Sequence, residues 1–498
     1  MTVDPPWLVH RRHGSTLPSD TEAARRILRN GNLRDELLKR GSQPVLRLGE
    51  VELSRDELRA RVEAVAGGLS TFGIVRGSMV SLYAPNSLSW ITAYLGAIYL
   101  GATVNAINPA YKKEELRHIL ADASPVLVIT DSAGLGLVRA VSPSTRAVLL
   151  DELPQGRPPA LAELNPEDPA LLLYTSGTTG KPKGALLDHG NMLAQARGVV
   201  EAWRWESGDR LVHALPLFHV HGLGIAFHGA LVAGASVTLI PFSPEAVVAE
   251  LQRDGTMFFG VPAMYQRLVE HLEQEPANLK HVRLFVAGSA PLPPALFERA
   301  AQVLGQPVLE RYGITEGGIV VSNPYDGPRQ PGRVGYPLPG VEVRLGEEAE
   351  VLLRGGQVFS GYWHNEAATR EVLADGWLHT GDVGEIGQDG TLAIRGRIKE
   401  MIITGGFNVY PREVELVLEQ HPAVAEVAVA GVPSERWGEE VTAYVVARTP
   451  VGPEELIAFS RERLSTYKCP RAVKFIDQLP RNAMGKIQRG ELGGSAGS

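Results

Sequence analysis

The segment from Leu173 to Gly184 gathers residue types that bind phosphate. It reads Leu-Tyr-Thr-Ser-Gly-Thr-Thr-Gly-Lys-Pro-Lys-Gly. Its glycines allow unusual backbone angles and close approach of another group, and its backbone amides add partial positive charge. Hydroxyl groups and lysines beside those glycines predict a loop that holds a polyphosphate. The candidate residues are Thr175, Ser176, Gly177, Thr178, Thr179, Gly180, Lys181 and Lys183.

This loop is not the common nucleoside-triphosphatase loop, because Gly180-Lys181 is followed by Pro182 instead of serine or threonine. A simple polar turn between a strand and a helix is the alternative interpretation. The density of hydroxyls and lysines beside the glycines counts against it.

Four further motifs follow along the chain. They are Glu310-Arg-Tyr-Gly-Ile-Thr-Glu316, Gly376-Trp-Leu-His-Thr-Gly-Asp382, the segment 396–415 beginning Gly-Arg-Ile-Lys, and Pro480-Arg-Asn-Ala-Met-Gly-Lys486. With the phosphate loop, and in this order, they resemble the signature of the adenylate-forming enzymes, which include acyl-CoA synthetases, peptide-synthetase adenylation domains and luciferases. The resemblance extends over roughly residues 40–490 and implies ATP, Mg²⁺ and coenzyme A as cofactors and co-substrates.

The resemblance implies roles for residues of the second and third motifs. Glu316 and Thr175 match positions that contact Mg²⁺, a cation that prefers oxygen ligands. Tyr312 offers a flat face for adenine, and Asp382 would accept hydrogen bonds from the ribose hydroxyls. Residues Glu310, Thr315 and Arg397 complete the predicted nucleotide site.

The last two motifs imply a two-step reaction. Lys486 matches the lysine that stabilises charge on the phosphoryl oxygens while a carboxylate attacks the α-phosphorus. In the second step the thiol of coenzyme A attacks the adenylate. The family's small C-terminal domain rotates between the steps about the position of Lys399, and Gly405 and Gly406 then line the pantetheine tunnel.

The acid is predicted from the segments 215–222, 260–267 and 286–292 and from Glu310-Arg-Tyr-Gly, which together resemble those of malonyl-CoA synthetases most closely. In that subgroup the positions of Arg267 and Ser289 bind the distal carboxylate, and His219 would line the acyl pocket. An exposed arginine on an amphipathic helix is the alternative for Arg267.

The sequence departs from this subgroup after Glu316, where Gly317-Gly-Ile-Val320 stands in place of the usual Thr-x-Met-Asn and Ile319 replaces the methionine. A methylmalonate-like or other short acid therefore remains open. A medium- or long-chain fatty or aryl acid is the alternative class.

A carrier-loading or nonenzymatic binding module on the same scaffold is a rival of another kind. Lys486, Glu316, Asp382 and the tunnel glycines favour an active enzyme instead. No carrier domain is expected, because residues 491–498 are a Gly- and Ser-rich flexible tail.

The composition limits which classes of protein are possible. The chain has 498 residues, a net charge of -7, and 44% hydrophobic residues, which favours a globular enzyme over a nucleic-acid binder. The single cysteine, Cys469, excludes an intramolecular disulfide. The apolar stretch near Trp90–Leu100 is too short to span a bilayer and predicts a buried helix, so we expect a cytoplasmic protein.

These sites must be positioned by layered elements. Apolar β-branched runs alternate with helical patterns up to about Asn323, which is typical of α/β layers. Short strands and Gly-rich turns follow, and then a separate strand–helix alternation. We therefore expect a large α/β N-terminal domain at 1–397 that includes a β-rich subdomain, a hinge at 398–399, and a small mobile α+β C-terminal domain at 400–490.

Overall fold

The computed structural model describes residues 4–175, 182–481 and 487–493. The fold is mixed α/β, with a large N-terminal domain built from three sheets and a smaller C-terminal domain built on a fourth. The predicted fold class is therefore confirmed. The boundary at residues 398–399 stays a prediction.

The strands of the N-terminal half are β1 Pro44–Leu48, β2 Val51–Ser54, β3 Met79–Tyr83, β4 Thr103–Ala106, β5 Leu127–Thr130, β6 Ala147–Leu149, β7 Pro169–Thr175, β8 Lys183–Asp188, β9 Arg210–His213, β10 Ser236–Leu239, β11 Met257–Gly260, β12 Leu284–Ala287 and β13 Leu309–Ile314. Those that follow are β14 Gly318–Ser322, β15 Tyr336–Pro337, β16 Glu342–Leu345, β17 Glu350–Arg354, β18 Gly361–Tyr362, β19 Leu373–Ala374, β20 Trp377–Ile386, β21 Leu392–Arg397, β22 Ile402–Thr404, β23 Phe407–Val409, β24 Val424–Ser434, β25 Gly438–Ala447 and β26 Ala472–Phe475.

The α-helices are α1 Thr21–Arg29, α2 Leu33–Leu37, α3 Arg55–Ser70, α4 Leu88–Leu100, α5 Lys113–Ala123, α6 Ser132–Val141, α7 His189–Ala202, α8 His228–Ala233, α9 Pro244–Arg253, α10 Pro262–Gln274, α11 Pro294–Leu304, α12 Glu366–Val372, α13 Pro411–Leu418, α14 Pro453–Arg461 and α15 Arg489–Gly493. Short 3-10 turns cover Pro6–His10, Leu150–Glu152, Glu347–Ala349 and Ile398–Glu400, and a π-helical segment covers His221–Phe227.

Two large, mostly parallel sheets form the N-terminal layers. The first has the order β15-β14-β13-β12-β11-β9-β10-β1-β2 and the second β18-β8-β7-β4-β3-β5-β6. The central strands are continuous apolar runs that are buried along their length, as expected for sheets covered on both faces. Their carboxyl ends therefore form the edges at which ligands meet an open α/β sheet.

The third sheet, β16-β17-β20-β19 with β21 beside β20, is antiparallel. Its β20–β21 hairpin turns at residues 387–391, where the sequence predicts a turn at Gln388-Asp-Gly. The C-terminal sheet has the order β23-β22-β25-β24 with β26 parallel to β25. It has its own apolar core, which includes Ile402, Val414 and Leu456.

Helix α4 is the most apolar helix and is buried along its length. It begins after Ser87, whose side chain accepts a hydrogen bond from the Trp90 amide. The prediction of a buried helix is confirmed. Within the described parts of the chain, none of the helices reaches the length and apolarity that a membrane crossing requires.

Candidate active site

The carboxyl ends of β9 and β12 and the neighbouring strand β13 deliver polar side chains to one edge of the first sheet. His213 ends β9, and Gly288 and Ser289 follow β12 directly. Arg311 belongs to β13 and follows Glu310, which pairs with Ala287, the last residue of β12. Because ligands bind at this edge in open α/β sheets, these side chains mark a candidate binding site.

Arg311 is a buried cation, with 5% of its surface exposed. Its Nε and Nη2 atoms have no hydrogen-bond partner within the described residues. Burial lowers the pKa of Arg311 to about 9, so the guanidinium still carries its charge at neutral pH. Because an unpaired buried charge is costly, this side chain is well suited to receive an anionic ligand.

The guanidinium of Arg311 lies directly against the backbone of Gly288. A Cβ atom placed on Gly288 would come within 2.3 Å of Cζ of Arg311. Glycine at this position therefore makes room for the arginine. The contact also places Arg311 beside the next residue, Ser289.

Ser289 and His221 share a hydrogen bond, with Oγ 3.2 Å from Nδ1. Ser289 has a φ of +70°, a region that residues other than glycine seldom adopt and that clusters at functional sites. Burial, and then the charge of Arg311, lower the pKa of His221 far below its ordinary value, so its ring is neutral. His219 accepts a hydrogen bond from the His221 amide at 3.2 Å. The predicted acid residues Ser289 and His219 thus lie together.

Arg267 is not buried with these residues. It is exposed on α10, and its Cζ is 5.0 Å from the ring centre of Phe242. The amphipathic pattern explains this position, because Met264, Tyr265 and Leu268 occupy the buried face of the same helix. The role predicted for Arg267 stays a prediction, and Arg311 is the buried guanidinium that sequence reasoning missed. The sequence offered no signal that distinguishes Arg311, because its neighbour Glu310 is also charged and burial depends on the surrounding elements.

The predicted nucleotide residues meet at β20. Asp382 has 3% of its surface exposed and accepts a hydrogen bond from the Tyr312 hydroxyl at 2.5 Å. Nε of Arg397 lies 2.9 Å from its other carboxylate oxygen. Asp382, more than any other cause, raises the pKa of Arg397, and burial opposes this effect. The β20–β21 pairing brings Asp382 and Arg397 together, and Tyr312 reaches Asp382 from β13 in another sheet.

Glu316 lies in the turn between β13 and β14, next to Thr315, and both residues are half-buried. One oxygen of its carboxylate accepts a hydrogen bond from the Tyr362 hydroxyl at 2.9 Å. Lys183 Nζ lies 5.2 Å from the centre of the Tyr362 ring. Tyr362, which the sequence analysis did not single out, therefore contacts two predicted site residues.

Glu310 is buried and accepts a hydrogen bond from the Leu292 amide at 3.0 Å. Burial raises the pKa of Glu310 to about 7. The carboxyl group thus supports the segment that follows Ser289. A contact of Glu310 with the nucleotide stays a prediction.

Comparison with known proteins identifies the family. The family model for AMP-binding enzymes matches residues 33–363, and the one for the AMP-binding enzyme C-terminal domain matches residues 413–486. The chain belongs to the AMP-binding enzyme family.

Individual relatives agree with this assignment. This AMP-binding enzyme is 36% identical to a feruloyl-CoA synthase from Amycolatopsis, over 90% of this chain and 94% of the relative. The ATP-bound structure of MatB from Rhodopseudomonas palustris matches with a TM-score of 0.88 at 33% identity, over 93% and 98% of the two chains. MenE from Bacillus subtilis with ATP and magnesium matches with a TM-score of 0.84 at 29% identity, over 92% and 98%. AMP-forming acyl-CoA ligase activity is the class that these similarities support.

The donors present fit a magnesium–ATP complex. No group of three or more His, Cys, Asp or Glu side chains that could hold a metal ion occurs in residues 4–175, 182–481 and 487–493. Glu316 offers a half-buried carboxylate and Thr175 a half-buried hydroxyl. Such oxygen ligands suit Mg²⁺ that is bound chiefly through nucleotide phosphates and one or two protein groups.

Contacts with neighbouring elements hold the residues on both sides of the predicted phosphate loop. Thr175 pairs with Lys183 across the antiparallel β7–β8 pair. The Tyr174 hydroxyl donates to Asp122 of α5 at 2.5 Å, and the His118 ring bonds the Pro182 carbonyl at 2.9 Å. The predicted residues Ser176, Gly177, Thr178, Thr179, Gly180 and Lys181 lie outside the described residues, as does Lys486.

The residues predicted to form the hinge and the pantetheine tunnel lie in turns. Lys399 lies in the short helical turn Ile398–Glu400, between β21 and β22. Gly405 and Gly406 have φ values of +58° and +81° in the tight β22–β23 turn, where glycine is favoured. The Gly405 amide donates to the Trp437 carbonyl at 2.8 Å. Their roles as hinge and tunnel residues stay predictions.

Proposed function

We propose that this AMP-binding enzyme is an ATP-dependent ligase that joins coenzyme A to a short diacid of the malonate or methylmalonate type. The observation that carries the proposal is the buried, charged guanidinium of Arg311. Its Nε and Nη2 find no partner within the described residues, and a second carboxylate on the substrate would supply one. Guanidinium and carboxylate groups form short charge-assisted hydrogen bonds.

The neighbours of Arg311 support a small polar pocket. Ser289 supplies a hydroxyl, and His221 is neutral and shares a hydrogen bond with it. His213 is also buried, with both ring nitrogens unpartnered in the described parts of the chain, and burial lowers its pKa to about 3. The cluster thus combines a fixed positive charge with neutral hydrogen-bonding groups, which suits an anion.

The first step would use the nucleotide residues. Asp382, Tyr312 and Arg397 would hold the ribose and adenine, and Glu316 and Thr175 would hold Mg²⁺, which neutralises phosphate charge when bound. The substrate carboxylate attacks the α-phosphorus, so an acyl–phosphate bond forms and pyrophosphate leaves. No general base is needed, because the carboxylate is already ionised at neutral pH. Lys486 would stabilise the developing charge on the phosphoryl oxygens.

The second step would use the C-terminal segment. The thiol of coenzyme A loses its proton and attacks the acyl carbon, and AMP leaves. Rotation about Lys399 would bring the Gly405–Gly406 turn to the pantetheine. Glycines suit this position because a turn without side chains leaves a narrow passage open.

An aryl acid is the second candidate, and it is favoured by the 36% identity to a feruloyl-CoA synthase. A medium- or long-chain fatty acid belongs to the same group, since these acids lack a second charge. Any of them would leave Arg311 without an anionic partner, and this is the reason we place the diacid first.

A pyrophosphate-release panel tests the proposal. Malonate, methylmalonate, butyrate, octanoate and ferulate are compared with and without coenzyme A, in the wild type, Arg311→Met and Arg267→Ala. We expect a diacid to be preferred over butyrate. Losing one partner of a buried charge pair costs about 2–5 kcal/mol, so Arg311→Met should lower kcat/KM for the diacid roughly thirtyfold to several-thousandfold.

Arg267 is the arginine that the sequence predicts to bind the acid, so Arg267→Ala compares the two candidates. Because Arg267 is exposed, we expect its loss to change diacid use far less than Arg311→Met. A wild-type preference for octanoate or ferulate would overturn the diacid proposal and leave the acyl-CoA ligase class intact. Full diacid activity in Arg311→Met would also overturn it.

A further inference from the structure

The segment Phe359–Trp363 connects the two halves of the candidate triphosphate site. The Phe359 amide donates to the Glu316 carbonyl at 2.8 Å. On the other side, Tyr362 pairs with Ala185 of β8, and the Trp363 amide donates to the Gly184 carbonyl at 2.7 Å. Backbone hydrogen bonds thus fix this segment between the turn that carries Glu316 and the strand that carries Lys183.

The side chain of Tyr362 repeats this connection with polar contacts. Its hydroxyl donates to Oε1 of Glu316 at 2.9 Å, and Lys183 Nζ lies 5.2 Å from its ring centre. That distance is within the range of a cation–π contact. One phenol therefore holds a carboxylate at its hydroxyl and an ammonium at its ring face.

The ring itself is well held. Phe359 packs edge-on against it with a centroid distance of 4.9 Å, and the Tyr362 amide donates to Oγ1 of Thr369 at 2.9 Å. Ring packing and this backbone hydrogen bond therefore fix the ring where its hydroxyl reaches Glu316.

The phenol of Tyr362 contacts two groups of opposite charge. Glu316 and Lys183 carry opposite charges, and both are predicted to act on the Mg²⁺–triphosphate. A direct ion pair between them would satisfy both groups and withdraw them from the ligand. A phenol between them satisfies each group weakly, because a neutral hydroxyl and a ring face compete poorly with Mg²⁺ and phosphate.

We propose that Tyr362 is a positioning residue that keeps Glu316 and Lys183 apart and directs them toward the Mg²⁺–triphosphate. The inference rests on the roles proposed for Glu316 and Lys183 in ATP binding and is independent of which acid is activated. It assigns a role in the reaction to a residue outside the motifs of the sequence analysis.

The test is the Mg²⁺ dependence of two readouts, which are ATP binding measured by calorimetry without acid or coenzyme A, and pyrophosphate release at saturating acid and coenzyme A. Tyr362→Phe keeps the ring and removes only the hydroxyl, and Tyr362→Leu removes both contacts. We expect Tyr362→Phe to raise the Mg²⁺ concentration at half-saturation roughly tenfold, as for a lost hydrogen bond to a charged group. High Mg²⁺ should restore its rate. Tyr362→Leu should in addition raise KM for ATP, since Lys183 loses its ring contact.

Tyr336→Phe is the matched control, because the hydroxyl of Tyr336 donates to the Asp389 carbonyl on the surface at 3.1 Å. It should leave the Mg²⁺ dependence unchanged. In the double variant Tyr362→Phe/Glu316→Gln, the Mg²⁺ shift should be smaller than the product of the two single shifts, because the hydroxyl acts through Glu316.

Two outcomes separate this inference from the assignment on which it rests. If Glu316→Gln leaves the Mg²⁺ dependence unchanged, the metal role of Glu316 is wrong. If Glu316→Gln shifts it while Tyr362→Phe behaves like Tyr336→Phe, or if the two shifts multiply independently, Tyr362 has no positioning role.

Discussion

Asp382 and Arg397 face each other across the β20–β21 strand pair, and Nε of Arg397 lies 2.9 Å from Oδ1 of Asp382. The Tyr312 hydroxyl binds the other oxygen at 2.5 Å. A carboxylate has about four lone-pair sites, so these two contacts orient the group and leave capacity for the ribose hydroxyls. These contacts therefore preorganise the site that we propose for the ribose.

Asp382→Asn should impair ATP use by weakening the bonds to ribose. An asparagine oxygen still accepts from Tyr312 but lacks the charge, and a charged hydrogen bond is worth about 1.5–3 kcal/mol. We expect kcat/KM for ATP to fall roughly tenfold to a hundredfold. With 2′-deoxyATP the variant and the wild type should differ much less. An equal loss on both nucleotides would contradict a ribose contact at Asp382.

Gly288→Ala should disturb the acid site without any change of charge. The new Cβ would collide with Cζ of Arg311, since the two atoms would be 2.3 Å apart. We expect kcat/KM for malonate to fall more than tenfold, roughly the effect of misplacing a group by 1 Å, while KM for ATP stays near the wild-type value. Gly136→Ala is the control, because a Cβ there has no neighbour within 4 Å in the described residues. Equal diacid activity in both variants would show that Arg311 does not bind the acid.

Lys486→Ala and Lys399→Pro should separate the two half-reactions. Lys486→Ala removes the cation predicted to assist adenylation, so acyl-AMP formation should fall far more than thioester formation from supplied acyl-AMP.

Lys399→Pro fixes φ at the predicted hinge, so acyl-AMP should still form while thioester formation drops. Both half-reactions are measured separately for each variant. Parallel losses in both steps would rule out these assignments.

Glu310→Gln should change the pH dependence of stability. Burial raises the pKa of Glu310 from 4.5 to about 7, so the folded protein binds a proton more tightly than the unfolded chain. Its contribution to stability is therefore present below pH 4.5 and is lost as the pH rises toward 7. The variant should gain stability relative to wild type between pH 5 and pH 8, on the order of 3 kcal/mol in unfolding free energy. Thermal melts of both proteins across this range check it, and a constant difference in Tm would count against a shifted Glu310.

The sequence alone determined the fold class and the order of the motifs, and it predicts the nucleotide residues. Apolar runs, helical patterns and turn residues are local properties of the chain, so they predict α4 and the β20–β21 turn directly. The motifs are local as well, and five of them in order identified the family before any contact was known.

Tertiary structure alone decided which cation is buried. Arg267 and Arg311 both occur in segments that predict an acid site, but burial depends on the neighbouring elements. Arg267 lies on the exposed face of α10, whereas β12 and Gly288 enclose Arg311. The Tyr362 contacts to Glu316 and Lys183 likewise require strands that are distant in sequence to meet in space. No local pattern reports such contacts, because they depend on sheet order and register.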